Sequence, residues 1–180
     1  DSAITPMGLI VLQPDETIEA EFATTFVDDP SPLYVSRIAS APKVSTDSLA
    51  DMERLLPAAA DLLPKTRPYK VVGYGRTSAS SVIGSARVQE LVQETCQTTH
   101  VTNPLRAALA CARHHGVSKF ALLSPYVEEV NVPLRAAFAK GGVSTDVFGT
   151  FAEAEEAKVI RISTASIVEA ACKLGADPAV

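Results

Sequence analysis

The run from Lys70 to Gly84 limits the fold more than any other part of the chain. Val71, Val72 and Tyr74 make a short apolar segment that stops at Gly75. Arg76, Thr77, Ser78, Ser80 and Ser81 then crowd into the polar stretch that follows, and an apolar helical period begins at Val82. A buried strand that ends in a small polar turn and leads into a helix is the repeating unit of an open parallel sheet. In such sheets ligands sit where the strand's carboxyl end meets the next helix. Thr77 and Ser78 can each offer a backbone N–H and a hydroxyl to a bound oxyanion, and Arg76 can add a fixed positive charge. A carboxylate is therefore the first ligand to consider. The same residues also suit a plain helix cap with a solvated arginine.

Strand and helix signals alternate along the rest of the chain, as a parallel α/β sheet requires. Met7 to Leu12 reads as a strand buried on both faces. Asp15 follows as an N-cap, with Ile18 and Phe22 on the apolar side of a helix. Asp28 to Pro32 is turn-rich and leads into a β-branched and aromatic strand, Leu33 to Ile38. Asp47 to Leu63 carries Leu49, Met52, Leu55, Leu56, Ala59 and Leu63 at helical spacing, with Pro57 expected to kink or split it. Val82 to Thr95 predicts one further helix with Val88, Leu91 and Val92 on its apolar face. Pro104 then suits the first turn of a helix capped by Asn103 or Thr102, which runs to His115 and ends at Gly116. His114 and His115 fall in its last turn, where the helix dipole favours them as caps rather than as catalysts.

A second set of signals follows. Lys119 to Leu123 predicts a buried strand, ending at the polar stretch Ser124-Pro125-Tyr126. Val132 to Lys140 predicts a helix stopped by Gly141 and Gly142, and Thr145 to Gly149 another strand. Ala152 to Ala157 is acidic and is expected to be exposed. Ser163 caps a last helix with Ile167, Ala170, Ala171 and Leu174 on one face. The expected architecture is α/β: two similar subdomains, residues 1–103 and 104–180, each a short parallel sheet flanked by helices, with a ligand cleft between them.

Composition narrows the function. The 180 residues are 47% hydrophobic, enough to bury a core. Net charge is −5, and no basic cluster interleaves with aromatics, so nucleic acid is not an expected partner. No apolar run approaches the roughly 20 residues needed to cross a bilayer, and the first residues lack the basic start of a signal peptide. The expectation is a cytoplasmic protein with no membrane partner; homo-oligomerisation stays open. Cys96, Cys111 and Cys172 have no metal-ligand spacing, lie in helix-like segments and read as ordinary thiols, so no metal is expected.

The stretch Gly73-Tyr74-Gly75-Arg76-Thr77-Ser78-Ala79-Ser80-Ser81-Val82-Ile83-Gly84 resembles the first active-site loop of the aspartate/glutamate racemase superfamily. It is nearest to the maleate cis-trans isomerase and arylmalonate decarboxylase branch. Ser124-Pro125-Tyr126 with Asn131 is similar to a Thr-Pro-Tyr-x-x-x-x-Asn segment of the same branch. The resemblance spans nearly the whole chain. It implies a cofactor-independent enzyme acting on a small carboxylate or dicarboxylate, with Thr77, Ser78, Tyr126 and Asp15 at the substrate and the Tyr126 hydroxyl touching a substrate carboxylate. Arg37 recurs in the branch and reads as structural. Where that branch carries a reactive Cys, this chain has Arg76, which cannot give up its proton near neutral pH. The resemblance places a second Cys, in a Ser-Cys-Thr turn, beyond Val180, and the chain then reads as lacking a C-terminal part. Two expectations for Arg76 follow: it holds a ligand carboxylate, or it pairs with Asp15. From another class, the alternative is a carboxylate-binding or regulatory protein without catalysis.

Overall fold

In the computed structural model, residues 4–39, 41 and 45–179 are described. Four parallel strands form the first sheet in the order β2-β1-β3-β4: β1 (Met7–Leu12), β2 (Leu33–Ile38), β3 (Val71–Tyr74) and β4 (Val101–Thr102). All six residues of β1 are buried, as its unbroken apolar run requires of a central strand. The chain leaves β1 toward β2 on one side and returns to β3 on the other. The carboxyl ends of β1 and β3 therefore flank the point where the winding reverses, where an open α/β sheet has its crevice.

Helix α2 (Thr46–Asp61) lays Leu49, Met52, Leu56, Ala59 and Ala60 onto this sheet. It meets Ile10, Val72 and Tyr74, along with Val88, Leu91 and Val92 of α4 (Ser85–Gln93). A Ser45–Ser48 capping box starts α2, and Pro57 does not split it. The helix predicted over Val82–Thr95 is instead two: α3 (Thr77–Ile83) and α4, broken at Gly84. Gly84 has φ 89° and ψ 135°, a conformation open essentially to glycine alone. The polar turn after β3 is thus itself helical, with Thr77 and Ser78 in the first turn of α3.

Helix α1 (Ile18–Thr25) packs loosely and buries no residue. Helix α5 (Pro104–His114) begins as expected, with the Asn103 side chain accepting from the Arg106 N–H at 2.9 Å. The second sheet holds two parallel strands, β5 (Leu122–Tyr126) and β6 (Phe148–Glu153). Both lie three or more residues beyond the apolar runs that predicted them, because the pairing continues into the polar ends, as far as Tyr126 opposite Glu153. Helix α6 (Glu128–Lys140) starts four residues before the predicted Val132. The chain closes with α7 (Glu156–Val159) and α8 (Thr164–Gly175).

Leu105, Leu134 and Phe138 make a smaller second core. Val130 of α6 belongs instead to the first core, and Tyr126 and Val127 pack against it. Burying a valine fully is worth about 1.5–3 kcal/mol, so this contact fastens the Tyr126 end of β5 to the first half of the molecule. The polar ends of β3 and β5 are held face to face.

Candidate functional site

Gly75 carries β3 one step past its last paired residue, its N–H reaching the Ile10 carbonyl at 2.8 Å. Arg76 then turns the chain into α3, in an extended conformation at the helix N-cap. Its carbonyl accepts from the Ser80 hydroxyl at 2.6 Å and from the Ser80 N–H at 3.2 Å. Ser80 thereby spends its hydroxyl on the turn, whereas Ser78, fully buried, has only the Tyr126 hydroxyl beside its Oγ. The Arg76 side chain is only 5% exposed and forms an ion pair with Glu156, the first residue of α7. Arg76 Nε and Glu156 Oε1 make no aligned hydrogen bond there, so the two charges touch without using all of their donor and acceptor capacity.

From the other half of the molecule, Tyr126 brings a phenol to the same place. Its backbone is fixed on three sides. The Tyr126 N–H donates to Ser124 Oγ at 3.2 Å, and its carbonyl accepts from Asn131 Nδ2 at 2.6 Å and from the Thr150 hydroxyl. Burial pushes the Tyr126 hydroxyl above its usual pKa; the nearby Arg76 charge pulls it down, Glu156 pushes it up, and the Ser78 hydroxyl pulls it down. The phenol therefore stays protonated through neutral pH and can donate a hydrogen bond to an oxyanion. Tyr74, one strand turn away, is likewise raised by burial, and its hydroxyl donates to the Met52 sulfur at 3.3 Å.

The structure thus brings Arg76, Ser78 and Tyr126 together and leaves Thr77 half-buried beside them. It does not bring Asp15 to Arg76. The Asp15 carboxylate accepts from the N–H groups of Thr17 and Ile18, both at 3.0 Å, in the turn that starts α1. Arg37 secures that same turn by donating to the Leu12, Gln13 and Asp15 carbonyls and pairing with Glu19, a structural duty. The expected Arg76–Asp15 pair is replaced by Arg76–Glu156, because Asp15 is consumed by its own turn and α7 reaches the guanidinium instead. The expectation that Ala152–Ala157 is exposed fails at the same residue: Glu156 is 6% exposed.

Nothing local in Glu153-Ala154-Glu155-Glu156 marks which glutamate turns inward. Glu156 turns inward where α7 begins, three residues past the last β5–β6 pair. Among the described residues the thiols lie elsewhere: Cys96 in the first core, with its pKa raised chiefly by burial, and Cys111 and Cys172 exposed on α5 and α8. Also among the described residues, no three His, Cys, Asp or Glu side chains gather as a metal site, and no helix is long and apolar enough to cross a membrane.

Two short parallel sheets flanked by helices, with polar strand ends meeting between them, define an α/β protein of the maleate isomerase and arylmalonate decarboxylase fold. Three solved structures illustrate the likeness. The maleate isomerase of Pseudomonas putida matches at TM-score 0.74 and 16% identity, over 96% of this chain and 74% of that one. The maleate cis-trans isomerase of Nocardia farcinica, bound to Tris, matches at TM-score 0.75 and 22% identity, over 94% and 72%. A liganded double mutant of arylmalonate decarboxylase matches at TM-score 0.77 and 20% identity, over 97% and 74%. Each of these chains is longer, and this one spans about three quarters of them. No protein-family model and no curated protein sequence matches the chain.

Proposed function

We propose that the chain binds a small mono- or dicarboxylate at the junction of its two halves. Arg76 supplies the charge, and the Ser78 and Tyr126 hydroxyls, with Thr77 beside them, orient the oxygens. The observation that carries this reading is the gathering of a buried guanidinium and two buried or half-buried hydroxyls at facing strand ends. Arg76 keeps an Nε with no aligned hydrogen bond, and Ser78 Oγ has only the Tyr126 hydroxyl beside it. Buried donors are ordinarily satisfied, and one left open is a place for a ligand atom. A guanidinium offers a carboxylate two parallel hydrogen bonds, the strongest recognition a side chain can give that group.

The chemistry open to these residues is binding and charge stabilisation. Arg76 holds its proton, so it can neither deliver one nor take one up; it can stabilise a carboxylate or the enediolate formed from it. Tyr126 can hold such an oxygen by a neutral hydrogen bond. Tight binding of a ground-state carboxylate does not by itself accelerate turnover. The residues described here therefore fit recognition, with proton transfer left to a group outside them. Support for a second, catalytic reading comes from the fold itself. The neighbours are named for maleate isomerisation and arylmalonate decarboxylation, and the same cleft would then hold maleate-like or malonate-like substrates without a cofactor.

Titration with maleate, malonate, phenylmalonate and acetate, read by calorimetry and by thermal shift, tests the reading. At least one should bind saturably, and Tyr126→Phe should weaken it by about 1–2 kcal/mol, a factor of roughly 5 to 30, without loss of fold. Failure of all four to bind, or unchanged affinity in Tyr126→Phe, overturns the assignment. Conversion of maleate or phenylmalonate, followed by proton NMR, separates the catalytic reading from binding alone.

A further inference from the structure

The guanidinium that a ligand carboxylate needs is already held by a carboxylate of the chain. With Arg76 and Glu156 side chains 5% and 8% exposed, no ligand can reach that cation while the pair stands. We propose that Glu156 is a tethered competitor. The segment from Ala154 to Ile162, which carries it and follows the last β6 pair, is a latch that keeps the cleft closed and swings out when a free carboxylate takes its place on Arg76. The inference rests on the carboxylate-binding reading above and adds its regulation.

Four observations support the latch. First, helix α7 has one buried residue, and it is Glu156; Glu155, Ala157 and Lys158 are exposed, and Val159 and Ile160 are not buried. A helix that buries a carboxylate and no apolar side chain is held down by the charge contact rather than by packing. Second, that contact is incomplete. Glu156 Oε1 touches Arg76 Nη2, but Arg76 Nε has no aligned hydrogen bond, and a buried pair left short of hydrogen bonds recovers little of its desolvation cost. A free carboxylate can choose the bidentate geometry that the tethered one does not reach.

Third, just ahead of the segment, at the end of β6, Ala152 has φ 54°, the only positive φ among non-glycine residues described. A left-handed alanine is a strained position, and movement of the segment would relax it. Fourth, a half-open groove of about 270 Å3 borders the latch, lined by Val159 and Ile162 of the latch, by Phe151 and Ile167 on either side of it in the chain, and by Leu123 and Pro125 of β5. Segments with few buried apolar contacts open at low free energy. The latch is pinned at Glu156 and borders an open groove beyond it.

The exchange is one carboxylate for another at the same guanidinium, so no bond is made or broken. In the intact protein, calorimetric titration with malonate and maleate should show Glu156→Gln binding at least tenfold more tightly than the parent, because the competitor is gone. Glu156→Gln should also melt lower than the parent when empty and recover most of that loss on saturation with malonate. In the parent itself, amides from Ala154 to Ile162 should exchange with deuterium faster when malonate is bound, whereas an ordinary binding loop would be protected. Equal or weaker binding by a folded Glu156→Gln, or slower exchange of the segment in the bound parent, overturns the latch and leaves carboxylate binding intact. Absence of binding in both proteins overturns the two together. Should Glu156→Gln fail to fold, the exchange measurement on the parent decides alone.

Discussion

Removing one member of a buried ion pair is far more damaging than removing both. A lone guanidinium at 5% exposure would keep its charge in a poorly hydrated site, and the usual cost of such an orphaned partner is about 3–5 kcal/mol. Glu156→Leu should therefore destabilise the fold by up to that amount, and by less where the segment opens and lets water reach Arg76, whereas the double replacement Arg76→Met with Glu156→Leu should recover much of it. Chemical denaturation of the four proteins gives the coupling directly, and a double variant as unstable as Glu156→Leu would show that the pair contributes nothing specific. At this scale the sequence was informative wherever a residue's position is set by its strand end. Arg76, Ser78 and Tyr126 all lie where a polar turn interrupts an apolar run, and they meet in space. Asp15 also sits at a strand end, but a carboxylate two or three residues ahead of free N–H groups binds them first. Glu156 left no trace, since it turns inward at the start of α7 to meet Arg76, eighty residues earlier in the chain.

The elements follow from pattern more faithfully than their ends do. Strands β1 and β2 and helix α5 lie within a residue or so of their predicted limits, because their boundaries coincide with caps or turn residues. The misplacements have physical reasons. Helix α6 begins early because Glu128 and Glu129 suit the first turn of a helix, where negative charge meets the dipole, although neither is apolar. The break between α3 and α4 turns on Gly84 alone, which caps the end of one helix and the start of the next. An added Cβ there would meet nothing within 4 Å, so Gly84→Ala measures backbone strain free of any clash. The expected cost is about 1–3 kcal/mol of stability. A shift in denaturation midpoint well below that would mean that α3 and α4 can merge into the single helix their apolar period suggests, carrying Ser78 off the cleft. Asn131 is a further element-scale anchor: it ties α6 to the Tyr126 carbonyl at 2.6 Å, and the spacing of Tyr126 and Asn131 was visible in the sequence before the contact was.

For the molecule as a whole, the two halves share their polar strand ends and a common apolar seam, so titration in one part is felt as global stability. Tyr74 and Tyr126 both have pKa values raised by burial, and Tyr69, packed beside Tyr34 at the other end of the sheet, is raised to about 12 for the same first cause. Because each phenol holds its proton more tightly folded than unfolded, its contribution is fully present below the unfolded value near 10. It is lost as pH climbs from there through the folded value. Stability should accordingly show no tyrosine-dependent slope between about pH 6 and 9 and should fall steeply above about pH 10. Tyr74→Phe removes the most enclosed of the three phenols, together with its bond to Met52, and should flatten that alkaline fall while costing little at neutral pH. Denaturation of parent and variant across pH 7 to 11 reads the difference. If the two curves keep the same alkaline slope, the Tyr74 phenol ionises as easily folded as unfolded, and its hydroxyl is not sealed from water between α2 and the first sheet as the structure has it.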